Sequence, residues 1–444
     1  MSNTSHTPTA SVITLGCKVN QYESEAISER LVSLGFELHA PDEASDIYII
    51  NTCAVTAEAE RKSRQLIRRA RRSNVDSHLI LCGCWSQSSP TDAAKIDGVA
   101  VVIGNKNKLR AADEALDIIK NGAPSAPRIL VGDSGNDIAD ESQIEEMSVT
   151  SAPRTRAYVK ICDGCNGRCA YCLIPSMRGP VRSRPIESIV SEVSALTENG
   201  CREVVLTGIE TASFGRDTGE SLVSLLEAVS DIDGIDRIRL GSLEPTVIND
   251  EFVRAAAQLP KLVPHYHLSL QSGCSRTLAA MRRKYNAPSA MTRIDALRAA
   301  IPHVMFTTDV IVGFPGETDN DFAQTIDFVR RARFLMLHVF QFSPRRGTAA
   351  ESMPDQIPES VKHARSAELI RIGHEVRDNV ISEYLADVGT APVLFESDID
   401  GMHAGHTANF IEVRTPQCGI VQGEIRNVRF DCVRDGVVYG EVIQ

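Results

Sequence analysis

The sequence predicts an α/β protein built of three parts: a small N-terminal domain with a mainly parallel sheet, a (βα)6-type partial or complete barrel, and a small C-terminal all-β barrel. Short apolar runs alternate with helix-like stretches over the first 130 residues, and six further apolar strands then recur with helices between them. Short strands without intervening helices end the chain. A length of 444 residues agrees with about three domains.

Four apolar runs predict the strands of the N-terminal domain. Their near-continuous hydrophobicity is typical of a parallel sheet that is covered on both faces. Helices are predicted over 23–34 and 57–72. The strands are predicted over 11–15, 46–50, 78–82 and 99–103. From residue 124 to 153 the composition turns polar and acidic, which indicates a linker.

Strands and helices alternate through the second domain, as expected of a barrel. Its strands are predicted over 158–161, 203–207, 237–240, 265–270, 307–312 and 337–342. A helix over 360–387 then gives way to strands at 392–396, 410–413, 421–428 and 437–442. The resulting domain limits are 1–130, 131–152 for the linker, 153–382 and 383–444.

The composition is that of an ordinary globular protein. Hydrophobic residues make up 43% and charged residues 24%, which excludes wholesale disorder and a collagen-like structure. The net charge of -11 argues against indiscriminate coating of nucleic acid but is compatible with a local basic patch. The first residues resemble no secretory signal, and no apolar run approaches the ~18 residues that span a bilayer. We therefore expect a cytoplasmic protein with no membrane partner, whose patterned cysteines are metal ligands or catalytic groups before they are disulfides.

Three cysteines lie in one loop after the first predicted barrel strand: Cys165, Cys169 and Cys172, with three and two residues between them. Three thiolates can hold a four-iron cluster and leave one iron open to a further ligand. A zinc site that adds Cys162 is the alternative. Zinc modules usually separate their cysteine pairs by ~12–20 residues, a spacing that this short loop does not have. Cys162 is therefore expected to have no ligand role.

This loop resembles that of the radical S-adenosylmethionine enzymes, and in particular the methylthiotransferases. The resemblance continues through 173–175 and 178–184 to the later segments 205–208, 243–245, 267–273, 281–285, 309–317 and 342–348. It implies that S-adenosylmethionine binds the open iron of a [4Fe-4S] cluster and that its reductive cleavage yields a deoxyadenosyl radical.

The resemblance also implies which residues contact S-adenosylmethionine. Tyr171 matches an aromatic position near the adenine, with packing inside the loop as the alternative. Gly208, Glu244 and Gln271 stand near the carboxyl ends of barrel strands, where barrel active sites are built. The alternative for these three residues is a structural role at the strand end, in turn geometry or in a salt bridge. No catalytic residue is predicted beyond the cluster cysteines.

A second set of cysteines, Cys17, Cys53 and Cys84, is spread over the N-terminal domain, and each follows a predicted strand. Because the carboxyl ends of parallel strands share one sheet edge, the three thiols could converge there; three unrelated buried cysteines are the alternative. Resemblance to the N-terminal domain of methylthiotransferases implies that they hold an auxiliary cluster, which gives two [4Fe-4S] clusters in all. Cys82 is the alternative to Cys84 as the third ligand. The family pattern places the ligand in Gly-Cys followed after two residues by Gln, which favours Cys84.

The first cysteine segment indicates the branch of the family. Cys17 is followed by Lys18-Val19-Asn20, which is similar to the bacterial branch that acts on tRNA threonylcarbamoyladenosine. The isopentenyladenosine branch typically has Gln-Met-Asn there, and the branch for a ribosomal-protein aspartate has Pro-Lys-Asn. The resemblance implies 2-methylthiolation of N6-threonylcarbamoyladenosine at position 37, beside the anticodon. One S-adenosylmethionine would supply the methyl group and a second the radical.

Two alternatives stay open. One is the same chemistry on isopentenyladenosine tRNA or a ribosomal protein, and the other is a non-catalytic iron–sulfur RNA-binding regulator. The barrel motifs disfavour the regulator, because a sensor needs no substrate barrel. For the enzyme, the resemblance implies three partners: tRNA, a low-potential electron donor of the flavodoxin or ferredoxin type, and a sulfur donor.

The strongest basic segment spans residues 61–72, with seven basic residues and no acidic one. It predicts contact with tRNA phosphates, and a solvated helix face is the alternative. Its basic members are Arg61, Lys62, Arg64, Arg68, Arg69, Arg71 and Arg72. Secondary candidates are Arg282, Arg283, Lys284, Arg345 and Arg346.

The C-terminal domain resembles the small RNA-binding β-barrel called TRAM around residues 405–410. From 381 to 444 it carries ten acidic and four basic residues, a net charge of about -6, which is unfavourable for phosphate binding. Either one edge with Arg426 and Arg429 contacts RNA, or the domain mainly covers the barrel.

Overall fold

The computed structural model describes residues 7–132, 144–151, 155–416 and 419–443 and contains two compact units. The N-terminal unit comprises 1–149, 162–167 and 172–184, and the C-terminal unit comprises 150–161, 168–171 and 185–444. Most acidic residues of the predicted linker fall within 133–143, outside the described residues. Within the described part of the chain, no helix combines the length and the hydrophobicity that crossing a membrane requires.

A six-stranded sheet forms the centre of the N-terminal unit and confirms the predicted parallel α/β architecture. Its strands are β1 Thr9–Thr14, β2 Glu37–Leu38, β3 Ile47–Thr52, β4 His78–Gly83, β5 Val99–Ile103 and β6 Arg128–Leu130. They lie in the order β2-β1-β3-β4-β5-β6, and every pairing is parallel. β3 and β5 are buried at every position, as expected when both faces of a sheet are covered.

Helices cover both faces of this sheet: α1 Lys18–Ser33, α2 Ala57–Ser73, α3 Cys84–Ser88, α4 Pro90–Ala94 and α5 Arg110–Asn121. One apolar cluster joins the sheet to α1 and α5, and a second joins it to α2. Thr56 begins α2 by accepting a hydrogen bond from the N–H of Ala59. The helix α1 starts earlier than predicted because the buried Val19 and Tyr22 continue its apolar face, and α5 was not predicted.

Segments from further along the chain complete this unit. They are the end of β7 (Arg156–Asp163), α6 (Ile174–Arg178) and β8 (Arg182–Ser183). Glu145, from the stretch predicted as a linker, accepts hydrogen bonds from the N–H groups of Lys108 and Leu109, both at 2.9 Å. Tyr22 donates to the carbonyl of Met147 at 2.7 Å. Residues 144–149 are therefore part of the N-terminal unit.

The C-terminal unit contains six parallel barrel strands and confirms the predicted (βα)6-type fold. The strands are β7, β9 Glu203–Gly208, β10 Arg237–Leu240, β11 His265–Gln271, β12 Met305–Val312 and β13 Met336–Gln341. The helices around them are α7 Ile186–Glu198, α8 Leu222–Ser230, α9 Asp250–Gln258, α10 Ser275–Ala280, α11 Ala287–Ala300 and α12 Asp319–Ala332. Single parallel bridges connect β10 and the loop after it to the β11 region. Within the described residues β13 pairs only with β12, so the barrel is open along β13.

The long helix α13, Glu359–Asp387, leads into a closed barrel of five strands, as predicted for the C-terminus. The strands are β14 Thr390–Ile399, β15 Met402–Thr407, β16 Glu412–Pro416, β17 Ile425–Arg434 and β18 Val437–Val442. They lie in the order β14-β15-β16-β18-β17. The strand β15 was not predicted, because its sequence Met-His-Ala-Gly-His-Thr has a single β-branched residue and no alternation.

An aromatic side chain of the small barrel, Phe410, lies among charged side chains at the amino ends of the larger barrel's strands. Its ring stacks on that of His265 at 4.7 Å. The guanidinium groups of Arg239 and Arg156 lie 4.8 and 5.3 Å from its centroid. Because these residues belong to β7, β10 and β11, strands from different sides of the barrel contact one ring. We call Arg156, Glu203, Arg239, His265 and Phe410 the barrel floor.

Hydrogen bonds hold the barrel floor together. Arg239 donates to Glu203 at 2.8 Å and to the carbonyl of Ala408 at 3.2 Å. Arg237 donates to two further carbonyls of the small barrel, at 2.9 and 3.1 Å. The backbone of Phe410 has a φ of 75°, a left-handed conformation that an aromatic residue keeps only where its surroundings determine it. The small barrel therefore covers the amino end of the larger one.

Candidate functional site

Three cysteines of the N-terminal unit come together at the carboxyl edge of its sheet. Cys17, Cys53 and Cys84 follow β1, β3 and β4, which are neighbouring strands. A Cβ on Gly16, whose φ is 108°, would lie 3.1 Å from the Sγ of Cys53. A Cβ on Gly83, whose φ is 97°, would lie 2.4 Å from the backbone oxygen of the residue before Cys53. Glycine at both positions allows the three cysteine loops to approach one another.

The surroundings of Cys17 and Cys53 favour the protonated form of these two thiols. Burial raises the pKa of Cys53 to about 11; a backbone hydrogen bond from Val55 opposes this, and the nearby thiols of Cys84 and Cys17 add to it. Desolvation also raises the pKa of Cys17, although this residue is exposed. The side chain of Asn105 lies 3.7 Å from the Sγ of Cys84. A metal that binds here must displace protons.

Cys82 lies on the opposite face of the sheet from Cys84. Alternate residues of β4 belong to two separate apolar clusters, and Cys82 is in the cluster beside α1 and α5. Cys84 is in the other cluster. Burial raises the pKa of Cys82 to about 12. The structure thus brings Cys84, and not Cys82, to the edge where Cys17 and Cys53 lie.

A buried ionic network lies beside these cysteines, and no sequence pattern predicted it. Arg178, at the end of α6, donates to Glu23 and Asp163 at 3.0 Å each and to Asn20 at 2.6 Å. Lys108 contacts Glu23 as well, and the side chains of Arg178, Lys108 and Glu23 have no exposed surface. The positive charges of Arg178 and Lys108 balance the negative charges of Glu23 and Asp163, as the burial of charged groups requires.

The charge of Arg178 acts on the thiols. Burial alone would lower the pKa of Arg178, but Asp163 and Glu23 keep it well above its ordinary value. The guanidinium in turn lowers the pKa of Cys17 and of Cys53 against the effect of burial. The signal that could have revealed this network is Glu23, because a carboxylate on the apolar face of a helix requires a buried cation.

The cysteine loop after β7 contributes residues to both units. In the N-terminal unit, Cys165 and Cys172 each accept a hydrogen bond from the N–H two residues further along, at 3.2 and 3.4 Å. In the C-terminal unit, the Nη1 of Arg283 lies 3.1 Å from the Sγ of Cys169. Donors to sulfur stabilise metal-bound thiolates, so each contact favours metal binding by its own cysteine.

Arg283 joins Cys169 to one of the predicted S-adenosylmethionine contacts. Its guanidinium pairs with Glu244 at 2.9 Å and lies over the ring of Tyr285 at 5.1 Å, and its side chain is only 8% exposed. The expectation that Arg283 contacts tRNA phosphate is therefore wrong. The left-handed backbone of Arg282, with a φ of 59°, reverses the chain so that Arg283 faces inward while Arg282 is exposed.

The other predicted cofactor contacts lie at strand ends and in the cysteine loop. Gly208 ends β9, and Gln271 ends β11 with a left-handed φ of 67°. Tyr171 packs edge-on against Phe314 at 6.4 Å and acts electrostatically on Arg283. Among the described hydrogen bonds and ion pairs, none joins Gly208 or Gln271 to Arg283. The structure brings Tyr171 near the Arg283 group, and Arg283 donates to the carbonyl of Ser269, two residues before Gln271, at 3.3 Å.

The predicted basic segment forms α2. Ile67 and Ala70 are buried, so one face of the helix packs on the sheet. Four of its basic residues have acidic partners: Arg61 and Lys62 contact Glu58, Arg64 contacts Glu60, and Arg71 contacts Asp97. Arg68, Arg69 and Arg72 are exposed and, in the described ranges, form no ion pair. These three are the cations of α2 that phosphate could reach without competition from a carboxylate.

The two basic candidates of the C-terminal β-barrel are neutralised by acidic neighbours. Arg426 pairs with Glu424 at 3.1 Å. Arg429 pairs with Glu441 at 2.7 Å and lies 3.7 Å from Asp431. This edge therefore offers little positive charge to RNA.

Two family models match the chain. The Radical SAM superfamily matches residues 159–329, which include the cysteine loop, and the uncharacterized protein family UPF0004 matches 9–104, which include Cys17, Cys53 and Cys84. A solved radical S-adenosylmethionine methyltransferase, TsrM from Kitasatospora setae with cobalamin and a [4Fe-4S] cluster bound, shares the fold. It covers 78% of this chain and 74% of its own length, with a TM-score of 0.56 and 14% identity.

Curated relatives cover most of the chain. The threonylcarbamoyladenosine tRNA methylthiotransferase MtaB of Bacillus subtilis is 36% identical over 96% of this chain and 94% of the relative. That of Thermotoga maritima is 39% identical over 80% of each chain. A tRNA-2-methylthio-N(6)-dimethylallyladenosine synthase of Acidothermus cellulolyticus is 34% identical over 90% of this chain and 79% of the relative. Together with the two converging sets of sequence motifs, these identities show that the chain belongs to the radical S-adenosylmethionine methylthiotransferase family.

Proposed function

We propose that this protein is a tRNA-modifying transferase that converts N6-threonylcarbamoyladenosine at position 37, beside the anticodon, to its 2-methylthio form. The observation that carries the proposal is the match to threonylcarbamoyladenosine tRNA methylthiotransferases of four bacteria, at 35–39% identity. Relatives named for dimethylallyladenosine are 34–36% identical. The segment 18–20 also favours the first group. The isopentenyladenosine, ribosomal-protein and regulator alternatives have less support.

Membership of the radical SAM superfamily implies S-adenosylmethionine and a [4Fe-4S] cluster. We propose that Cys165, Cys169 and Cys172 hold this cluster. When bound, the cluster and S-adenosylmethionine supply a 5′-deoxyadenosyl radical that removes the hydrogen from C2 of the adenine. Arg283 donates a charge-assisted hydrogen bond to the Sγ of Cys169.

Arg283 also positions the carboxylate of Glu244, at 2.9 Å, as an acceptor for hydrogen-bond donors of S-adenosylmethionine. The further contacts that we propose are Tyr171, Gly208 and Gln271. Phe410 closes the barrel floor at the amino end of the strands, opposite the carboxyl end where barrel active sites are built.

We propose that Cys17, Cys53 and Cys84 hold a second [4Fe-4S] cluster. Three thiolates are a donor set that such clusters use, and the neighbouring Arg178 offsets their negative charge. The proposed task of this site is to hold the sulfur that one S-adenosylmethionine methylates before the CH3S group is transferred.

Three partners follow from the proposed reaction. The tRNA is proposed to contact the exposed Arg68, Arg69 and Arg72 of α2. Reductive cleavage consumes an electron, which calls for a low-potential donor of the flavodoxin or ferredoxin type. Each product molecule gains a sulfur atom, which calls for a sulfur donor.

Mass spectrometry of tRNA nucleosides from cells with and without the gene tests the proposed function. We expect loss of only the 2-methylthio form of N6-threonylcarbamoyladenosine, with restoration on re-expression. Loss of the methylthio form of isopentenyladenosine instead would assign the other tRNA branch. An unchanged nucleoside profile would rule out a tRNA substrate.

The double substitution Arg68→Gln with Arg69→Gln is expected to weaken tRNA binding. If each arginine neutralises one phosphate, the slope of log K against log salt concentration should become shallower by about 2. Anaerobic binding titrations at several salt concentrations measure this slope. The matched control is Arg330→Gln with Arg331→Gln, an adjacent exposed pair on α12. Equal slopes for the two double variants would remove α2 from the tRNA interface.

A further inference from the structure

Three polar side chains on adjacent strands face one another in the C-terminal unit. His267 lies on β11, Asp309 on β12 and His338 on β13, and one nitrogen or oxygen atom of each lies within 4.8 Å of the others. The Nε2 of His267 lies 3.2 Å from the Oδ2 of Asp309. Asp309 and His338 are direct partners in the parallel register. We call these three residues the lumen triad.

The strand pattern places the lumen triad on the inner face of the barrel. Side chains two residues apart share a strand face, so His267 faces the same way as His265 of the barrel floor. Along β13, the residues that share the face of His338 are Met336 and Phe340, which are 38% and 45% exposed. Because β13 is the open edge of the barrel, the lumen triad lies where a substrate group can enter.

A chain of hydrogen bonds with a fixed direction orients the lumen triad. Arg239 can only donate, so the Nδ1 of His265, 3.0 Å away, is an acceptor. The proton of neutral His265 is then on Nε2, which donates to the Oγ1 of Thr307 at 3.1 Å. Thr307 in turn donates to the Nδ1 of His267 at 2.9 Å. His267 therefore presents its Nε2–H to Asp309, which acts as an acceptor.

The lumen triad lies close to the proposed cofactor site. Ser269 is the next residue of β11 on the face of His267, about 7 Å further along the strand. Its carbonyl accepts a hydrogen bond from Arg283 at 3.3 Å, and Arg283 contacts the Sγ of Cys169. A substrate that reacts beside Cys169 can therefore extend a side group to the lumen triad.

We propose that the lumen triad recognises the polar substituent on N6 of the substrate adenosine; this inference rests on the proposed function and deepens it. A threonylcarbamoyl group has N–H and O–H donors, which the carboxylate of Asp309 accepts. It also has a carboxylate, to which the imidazole of His338 donates. A hydrocarbon substituent in the same place would offer no hydrogen bond to either side chain, and sites built from hydrogen-bonding groups reject such analogues strongly.

The test uses the anaerobically reconstituted full chain and anticodon stem-loop RNA with either N6-threonylcarbamoyladenosine or unmodified adenosine at position 37. We expect the unaltered protein to bind the modified RNA more tightly. His338→Phe and Asp309→Asn should each reduce this preference, measured as the ratio of the two Kd values, by at least about tenfold. The control His374→Phe alters an exposed histidine on α13 and should keep the ratio. For each variant, the amount of methylthio product is divided by the amount of 5′-deoxyadenosine that the same preparation forms without RNA. This ratio corrects for differences in cluster content between preparations.

A preserved Kd ratio in both variants would overturn the proposal. One equivalent of a divalent metal beyond the cluster iron, lost in His338→Phe, would also overturn it, because the lumen triad would then be a metal site. Failure of the proposed function has a different signature: the unaltered protein would form no methylthio product on the threonylcarbamoyl tRNA.

Discussion

Cys169→Ala is expected to abolish 5′-deoxyadenosine formation, whereas Cys53→Ala should retain it and yet make no methylthio product. Each substitution removes one of three proposed thiolate ligands, and each should cost about four iron atoms per chain. The two losses differ in effect because cleavage of S-adenosylmethionine is assigned to the cysteine loop and sulfur transfer to the edge of the N-terminal sheet. Anaerobic assays that quantify both products, together with iron analysis, measure the difference.

Cys82→Ala is the control for this pair. Cys82 is buried even more completely than Cys53, but it packs in an apolar cluster on the opposite sheet face from Cys84. The variant should therefore keep its iron and form both products. Methylthio product from Cys53→Ala, or loss of deoxyadenosine in both cysteine variants, would contradict the assignment of two separate sites.

Arg178→Met is expected to lower the free energy of unfolding by about 3–5 kcal/mol, because it leaves a buried carboxylate without its cation. Arg178 is fully buried and pairs with both Glu23 and Asp163, whereas Lys108 pairs with Glu23. Urea denaturation under anaerobic conditions measures the effect. The charge-restoring pair Arg178→Met with Asp163→Asn should recover part of the loss.

Arg30→Met provides the comparison for Arg178→Met. Arg30 forms an ion pair with Asp113 in the same unit, but both side chains are about half exposed, at 48% and 50%. Exposed pairs contribute at most about 1 kcal/mol. A cost for Arg178→Met as small as that for Arg30→Met would show that the buried network does not stabilise the fold.

Much of the fold could be predicted because buried strands are apolar runs with polar ends. The limits of Val99–Ile103, Arg237–Leu240 and Val437–Val442 agree with those predicted. The sequence did not predict the strand Met402–Thr407, because closure of the small barrel, and not the strand's own residues, makes this segment a strand. Tertiary context of this kind leaves no periodicity in the sequence.

The two sets of cysteines could be proposed from spacing and resemblance, whereas the charges around them could not. Arg178 and Glu23 are 155 residues apart, and no local pattern joins them. Arg283 stands in a basic run and was expected at the surface, but a reversal of the backbone at Arg282 turns it toward Cys169. Sequence spacing reports which residue types can bind a metal. The neighbours that set their charge depend on the folded chain.

The barrel floor also sets the order in which the protein can be completed during synthesis. The last strand of the larger barrel ends at Gln341, and Phe410 follows 69 residues later. At roughly 5–20 residues per second, a ribosome needs about 3–14 s to add that stretch. Until then the charged side chains of Arg156, Glu203 and Arg239 face water at an uncovered end. A chain whose translation stops after α13 would therefore possess every barrel strand while the charged amino ends of those strands remain without their cover.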